Sequence, residues 1–190
     1  MTETERARAA GGAAGRVELL VLCTGNAARS VMAGFMLEYR AEELGLPVQV
    51  ATAGTHVVAG QPMSIRTRNA LDSIDELSSF LTSHHRSRQL GTDDVDRADL
   101  VVAMEADHVR FIRRTHPHAA ARTATLRRLC RDLAPGPTPL AERVAALHLD
   151  EVELGGWEDV DDPAGGTDDV YVACAQQLWG LTEELAARLS

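Results

Sequence analysis

A cysteine and an arginine six residues apart lie in a short run of small and polar residues near the start of the chain. The run reads Cys23-Thr24-Gly25-Asn26-Ala27-Ala28-Arg29-Ser30. A cysteine thiolate is a good nucleophile, and a helix N-terminus with a nearby positive charge favours that form. The planar fork of an arginine matches two oxygens of a phosphoryl group. The spacing therefore predicts that Cys23 is a nucleophile and that Arg29 binds the phosphoryl group of a substrate beside it.

The residues between Cys23 and Ser30 suit a loop that surrounds an anion. Successive backbone N–H groups in such a turn form a concave anion site. Gly25 lets the backbone approach the ligand, and Asn26 tolerates a left-handed conformation. The hydroxyl of Ser30 can donate a hydrogen bond to the thiolate. We predict that six loop residues bind the phosphoryl group: Thr24, Gly25, Asn26, Ala27, Ala28 and Ser30.

Other interpretations of these residue types are common. A lone cysteine at the end of a strand is usually a small buried hydrophobe, and a cysteine–arginine pair at this spacing also occurs by chance. Here a buried strand precedes the pair, glycine and asparagine lie inside it, and a helix follows. This context favours the catalytic interpretation.

The elements around the loop predict a β-α-β unit. Residues 17–22 are rich in Val and Leu and suit a buried strand, residues 31–45 have helical spacing, and residues 47–51 alternate as a second strand. The pattern then continues with helices at 64–75 and 105–114, strands at 97–104 and 123–126, a loop at 134–139 and a closing helix at 168–189. We predict a single three-layer α/β domain, a four-stranded parallel sheet with helices on both faces. Ligands bind at the carboxyl ends of such strands, where the cysteine loop begins.

The composition and charge of the chain argue against several classes of function and site. The chain has 190 residues and a formal net charge of −9, so no basic face for nucleic acid is expected. Its three cysteines, Cys23, Cys130 and Cys174, are too irregularly spaced for a disulfide framework or a cysteine zinc site. No apolar run approaches the roughly 20 residues that span a bilayer. Residues 1–15 lack the layout of a secretory signal and are predicted to form a disordered tail before a domain at 16–190. We expect a cytoplasmic protein without a metal or cofactor.

A late Asp162-Pro163 pair adds a second motif. The order Cys-x5-Arg-Ser, then Asp-Pro, resembles the low-molecular-weight protein tyrosine phosphatase family. Residues 52–55, 85–90 and 98–104 also resemble family segments, and the resemblance runs from about residue 17 to the end of the chain. Five acidic residues cluster at 158–168 (Glu158, Asp159, Asp161, Asp162 and Asp168), and the resemblance selects Asp162 among them.

The resemblance implies a two-step phosphatase reaction. Cys23 attacks phosphorus to form a phosphocysteine, Arg29 stabilises the equatorial oxygens, and Asp162 protonates the leaving group and then activates water. It also implies a supporting hydrogen-bond network, for which the matching positions are Asn26, Ser30, Thr52 and His85. His84 is the neighbour with which His85 could be confused.

The sequence departs from the family at two places. Ala28 stands where many eukaryotic members carry a second, protective cysteine. Aromatic residues that flank the cleft in members selective for phosphotyrosine are replaced by residues 56–58 and 164–166, which contain none. The expected substrate is therefore a phosphorylated protein or a small phosphomonoester, with the preference for tyrosine left open.

Two alternatives remain at this point. An arsenate reductase could use the same loop, although a thioredoxin-linked version needs two further cysteines close together, and Cys130 and Cys174 are far apart in sequence. A non-catalytic module that binds phosphate or a phosphoprotein is the other. The sequence does not give the oligomeric state or the role of residues 126–157.

Overall fold

The structure is a computed structural model that describes residues 15–77 and 85–190. The predicted tail lies outside the described residues apart from Gly15, as does His84. No helix within the described ranges is both long enough and apolar enough to cross a bilayer.

Four parallel strands form one sheet in the order β2-β1-β3-β4. Their bounds are β1 (Val17–Cys23), β2 (Val48–Gly54), β3 (Leu100–Ala103) and β4 (Thr123–Thr125). Cys23 lies opposite Gly54, and Leu22 lies opposite Ala103. The carboxyl ends of the three strands therefore meet at one edge of the sheet, which brings the segments that follow them together.

Helices cover both faces of this sheet. The described α-helices are α1 (Arg29–Leu44), α2 (Ile65–Asp72), α3 (Thr92–Arg97), α4 (Ala106–Thr115), α5 (Leu126–Asp132), α6 (Leu140–Ala145) and α7 (Asp168–Leu189). Alternate residues of β1 point to opposite faces. Leu19 and Val21 pack in the larger core with α1, α2, α5 and α7, whereas Leu20 and Leu22 pack in the smaller core with α3 and α4. The predicted fold class is confirmed.

Element boundaries differ from the prediction where pairing decides them. Strand β2 ends at Gly54, three residues beyond the predicted end, because it stays in register with β1 as far as Cys23. Helix α1 begins at Arg29 and ends before Gly45, which adopts φ +63° and closes the helix as predicted. Helix α3 was not predicted, since its six residues are mostly polar. Helix α7 has the predicted bounds.

Candidate active site

The thiol of Cys23 lies at the end of β1 and contacts two groups of its own loop. Its Sγ is 3.0 Å from the Ser30 hydroxyl and accepts a hydrogen bond from the backbone N–H of Asn26 at 3.2 Å. The N–H of Asn26 thus donates to the sulfur, and the hydroxyl of Ser30 lies within hydrogen-bond distance of it. The predicted contact between Cys23 and Ser30 is present.

Asn26 holds the loop in shape. It adopts the left-handed conformation expected from its residue type, with φ +49°. Its Nδ2 donates to Ser30 Oγ at 3.1 Å and to Thr52 Oγ1 at 3.0 Å, while its Oδ1 accepts from the N–H of Arg88 at 3.0 Å. Nε2 of His85 lies 2.9 Å from its carbonyl oxygen. Because a carbonyl only accepts, His85 carries its proton on Nε2, and burial lowers the pKa of this imidazole.

Glycine at position 54 lets β2 approach the loop closely. A Cβ at this position would lie 2.5 Å from the carbonyl oxygen of Thr24 and 2.9 Å from the backbone nitrogen of Asn26. Both neighbours are backbone atoms, so no side-chain rotation could relieve the clash. The glycine of the segment 52–55 is therefore required by the packing of the cysteine loop.

Arg29 is almost fully buried and reaches three acceptors. Its NH1 donates to the carbonyl of Val160 at 2.9 Å, and its NH2 donates to Glu105 at 3.0 Å and to Asp162 at 2.6 Å. Glu105 follows β3, and Asp162 precedes α7. The guanidinium thus joins the cysteine loop to two other segments at the same edge of the sheet.

The segment that carries Asp162 is fixed to β3 and to the start of α4. The N–H of Val160 donates to the carbonyl of Met104 at 2.8 Å, and Asp159 accepts from the N–H of Ala106 at 2.7 Å. The Asp162 carboxylate also accepts from the N–H of Ala164 at 3.1 Å. These bonds place the carboxylate beside the thiol loop, although Asp162 lies 133 positions after the loop residue Arg29 in sequence.

A buried ion pair supports this segment from behind. Glu158 is fully buried and accepts two bonds from Arg128 of α5, at 2.8 and 2.6 Å. The Thr125 hydroxyl and the N–H of Gly155 donate to the same carboxylate, each at 2.9 Å. The ring of Trp157 lies 3.9 Å from the Arg131 guanidinium. Within residues 126–157, whose role the sequence left open, Arg128 and Gly155 therefore hold the segment that carries Asp162.

His108 and Glu105 are polar residues near Arg29 that the sequence analysis missed. Nε2 of His108 lies 3.0 Å from the Thr24 hydroxyl and 3.2 Å from Glu105, while its Nδ1 has no partner among the described residues. Burial and the charge of Arg29 lower the pKa of His108 to about 4, so the ring is neutral near pH 7. Their position in the sequence was the signal that could have identified them, because Glu105 lies two residues after the carboxyl end of β3 and His108 lies one helical turn later.

A cavity of about 130 Å³ opens above Cys23. The cavity is lined by the small side chains of Ala27, Ala28 and Ala164, by Asp162, and by the largely buried Tyr171. Ala28 precedes α1 and has no side chain to bond the first amides of the helix. Those amides and the helix dipole are free to bind an anion.

The structure brings the predicted residues together. Cys23, Arg29 and Asp162 share one cavity with the loop residues Gly25, Ala27 and Ala28. Thr24 lies beside it, and Asn26, Ser30, Thr52 and His85 form the bonds described above. Within the described ranges, no group of three or more metal-binding side chains occurs.

The other two cysteines are buried in helices away from solvent. Burial raises the pKa of Cys130 to about 12 and that of Cys174 to about 11. Both thiols are therefore protonated near pH 7 and are poor nucleophiles. This argues against a thioredoxin-linked arsenate reductase, which would need them to relay a disulfide.

Comparison with known proteins gives consistent similarities. Residues 18–136 match the family model described as low molecular weight phosphotyrosine protein phosphatase. A protein-arginine-phosphatase of Geobacillus stearothermophilus is 30% identical over 90% of this chain and 95% of its own length. A low molecular weight protein-tyrosine-phosphatase of Streptomyces coelicolor is 31% identical, over 87% of this chain and 89% of its own.

Solved structures agree with these sequence similarities. The structure of the YwlE arginine phosphatase from Geobacillus stearothermophilus superposes with a TM-score of 0.67 at 29% identity and covers 90% of each chain. A mutant of YwlE arginine phosphatase with a phosphorylated active-site serine gives a TM-score of 0.71 at 25% identity, over 90% of this chain and 93% of that one.

Proposed function

The chain belongs to the low molecular weight phosphotyrosine protein phosphatase family, and on that premise we propose which residues perform its reaction and which phosphorylated side chain it prefers. It is a cysteine-dependent phosphatase that acts through a covalent phosphoenzyme. The assignment of residues follows from the contacts around Cys23.

In the first step, Cys23 Sγ attacks phosphorus and the bond to the leaving group breaks. The amides of the loop and the Arg29 guanidinium stabilise the charge on the three equatorial oxygens. Asp162 gives a proton to the leaving atom. In the second step Asp162 takes a proton from water, which attacks the phosphocysteine and releases inorganic phosphate.

Arg29 changes partners during this cycle. Before substrate binds, we expect its NH2 to donate to Asp162, as it does here at 2.6 Å. An incoming phosphoryl group takes over that donor, and the released Asp162 carboxylate takes up a proton from solvent, which it then gives to the leaving atom. The bonds to Val160 and Glu105 keep the guanidinium in place during the exchange.

We propose phosphoarginine in proteins as the preferred substrate. The observation that carries this proposal is the cavity lining, in which Asp162 and the small side chain of Ala164 line the site together with the loop residues Ala27 and Ala28. A phosphoguanidine is planar and rich in N–H donors, so it suits a carboxylate, whereas a tyrosyl ring gains about 0.5–1.5 kcal/mol from each aromatic neighbour. The relatives named protein-arginine-phosphatase support the same choice.

Phosphotyrosine is the second candidate. The Tyr171 ring contributes to the cavity, and the Streptomyces coelicolor relative is named a tyrosine phosphatase. Two peptides that differ only in the phosphorylated residue decide between the candidates. We expect kcat/KM to be at least about tenfold higher for the phosphoarginine peptide, as a carboxylate–guanidine hydrogen bond would give. Equal values, or a preference for phosphotyrosine, would refute the proposed preference.

The same assay separates catalysis from binding. Cys23→Ser should abolish release of phosphate from both peptides, because the serine hydroxyl stays protonated. Retained turnover would overturn the mechanism, and binding without turnover in the wild type would favour a non-catalytic module. Arsenate with thiol consumption as the readout tests the reductase alternative. We propose the cytoplasm as the location, and the absence of nucleic-acid partners stays a prediction.

A matched variant tests the cavity wall. Ala164 follows the Asp162-Pro163 pair and is exposed at the cavity. Ala164→Tyr supplies an aromatic wall without touching Cys23, Arg29 or Asp162. We expect it to shift the ratio of kcat/KM toward the phosphotyrosine peptide, and an unchanged ratio would show that this wall does not set the preference.

A further inference from the structure

A second cavity, of about 240 Å³, lies between helix α1 and the edge strand β2. Val31, Phe35 and Glu38 of α1 line one side, Val50 and Thr52 of β2 line the other, and His85 completes it. We call it the α1/β2 cavity. None of these residues lines the cavity above Cys23.

Glu38 gives this mostly apolar cavity an acidic group without a partner. Its carboxylate makes no hydrogen bond or ion pair with another described residue, whereas nearby Arg40 is paired with Glu43 at 2.8 Å. Burial, together with the charge of Glu42, raises the pKa of Glu38 to about 7. A cation bound beside it would relieve this cost.

The opposite wall of the cavity is connected to the catalytic cysteine. Thr52 Oγ1 accepts from Asn26 Nδ2 at 3.0 Å, and His85 contacts the Asn26 carbonyl at 2.9 Å. Asn26 in turn donates to Ser30, whose hydroxyl lies 3.0 Å from Cys23 Sγ. A molecule that shifts Thr52 or His85 therefore acts on the residue that shapes the phosphate loop.

We propose that the α1/β2 cavity binds a small organic cation, an amine carried on an apolar body, and that this ligand changes turnover at Cys23. The charge of Glu38 selects a cation, and the side chains of Val31, Phe35 and Val50 select an apolar body. The volume is slightly below the roughly 300–1,000 Å³ of sites for drug-sized ligands, so the ligand is small. This site is independent of which phosphorylated residue the enzyme prefers.

Benzylamine and its neutral analogue benzyl alcohol test the proposal by calorimetry and NMR titration. Saturating inorganic phosphate keeps the ligands out of the cavity above Cys23. We expect benzylamine to bind and to perturb the amide signals of Val50, Thr52 and His85. Benzyl alcohol should bind at least about tenfold more weakly, since it lacks the charge-assisted hydrogen bond. Equal affinity of the two, or binding of neither, overturns the proposal.

Two conservative variants assign the site. Glu38→Gln should weaken benzylamine binding about tenfold. Glu42→Gln, one turn further along and outside the cavity lining, should retain the affinity within about twofold. Melting temperatures confirm that both variants fold. Unchanged affinity in Glu38→Gln overturns the site.

The charge on Glu38 also predicts a pH effect on binding. Affinity should rise from about pH 6 to about pH 8 as the carboxyl loses its proton. The ionisable neighbours are Glu42 on the same helix, His85 across the cavity and Arg16 in the adjoining groove. The Glu38→Gln variant serves as the control, and an identical pH dependence in it would show that Glu38 is not the group involved.

The final test joins binding to catalysis. In the wild type, saturating benzylamine should change kcat for an aryl phosphate at least about twofold, and Glu38→Gln should remove that response while keeping the basal rate. Cys23→Ser should still bind benzylamine, so a failure of catalysis is distinguishable from a failure of this site. Binding without any change in kcat would refute the coupling to Cys23.

Discussion

The carboxylate of Asp162 and the guanidinium of Arg29 form an ion pair of 2.6 Å. The two groups have different tasks in the reaction, since one protonates the leaving atom and the other holds the phosphoryl oxygens. Their contact means that phosphate binding and acid catalysis compete for Arg29 before substrate arrives.

The first prediction concerns this competition. Asp162→Ala should lower kcat by about 10²–10⁴-fold for substrates with poor leaving groups and much less for a good aryl leaving group. The same change frees Arg29, so inhibition by inorganic phosphate should become tighter. Steady-state kinetics with two leaving groups, and phosphate as inhibitor, measure both effects. Weaker inhibition of the Asp162→Ala enzyme by phosphate would show that Asp162 does not compete with phosphate for Arg29.

The second prediction concerns Asn26. Asn26→Ala removes two side-chain donors and one acceptor and places alanine at φ +49°. We expect kcat to fall about 100-fold or more, from the loss of two or three hydrogen bonds of about 1 kcal/mol each. Thr52→Val is the control, because it removes only the acceptor of one of these bonds, that of Asn26 Nδ2 to Thr52 Oγ1. We expect it to lower kcat by about tenfold or less. Equal losses in both variants would argue against Asn26 as the centre of the network.

A third prediction follows from the close approach at Gly54. Gly54→Ala should abolish activity and lower the melting temperature, because the added Cβ meets backbone atoms of Thr24 and Asn26. Gly180→Ala is the matched control. It lies exposed in helix α7 with no atom within 4 Å of the added Cβ, and we expect it to stabilise the protein by about 0.5–1 kcal/mol. Calorimetry and phosphate release test both, and an active Gly54→Ala enzyme would show that the loop can move.

The fourth prediction concerns the brace behind Asp162. Glu158→Gln leaves the buried Arg128 without its carboxylate and should destabilise the protein by about 3 kcal/mol. Because Val160 and Asp162 lie two and four residues later in the same segment, kcat should also fall at temperatures where the variant is fully folded. Chemical denaturation and kinetics at low temperature separate these effects. Normal kcat in the folded variant would limit Glu158 to a stabilising role.

The fifth prediction is a pair of opposite effects of pH on stability. The pKa of His108 is lowered to about 4 in the folded protein, so the unfolded chain binds the extra proton and stability is lost as pH falls from about 6.5 to about 4. The pKa of Glu38 is raised to about 7, so stability is gained as pH falls from about 7 to about 4.5.

Melting temperatures at about pH 7 and about pH 4.5 test this pair. Relative to the wild type, the fall in melting temperature on acidification should be smaller in His108→Gln and larger in Glu38→Gln. Changes of the same sign in both variants would contradict the pKa shifts.

The sequence was sufficient for the parts of this protein that local patterns determine. Residue types predict the conformation of segments that are continuous in sequence. These are strand β1, the cysteine loop, Gly45 at the end of helix α1, and helix α7. The choice of Asp162 among five neighbouring acidic residues needed the family resemblance. The structure places that carboxylate beside Arg29, because bonds from Met104 and Ala106 fix its segment.

Long-range contacts could not be predicted in the same way. Glu105 and His108 look like ordinary polar residues at the start of an amphipathic helix, and only the sheet order brings them to Arg29 and Thr24. The extension of β2 to Gly54 likewise depends on pairing with β1, which residue alternation within β2 does not encode. The pairing of Arg128 with Glu158 joins residues 30 positions apart across a segment of irregular structure.

The burial of Cys130 and Cys174 bears on how long an enzyme molecule survives. Peroxide converts an exposed thiolate to a sulfenic acid, which a neighbouring thiolate can rescue as a disulfide before further oxidation becomes irreversible. Ala28 offers no sulfur, and the raised pKa values of both remaining thiols keep them in the protonated, unreactive form. Oxidation of Cys23 beyond the sulfenic acid is irreversible, and neither buried thiol is in the reactive form that would trap that intermediate as a disulfide. The working lifetime of this phosphatase is then set by its exposure to oxidants, and synthesis of new protein is the way in which its activity returns.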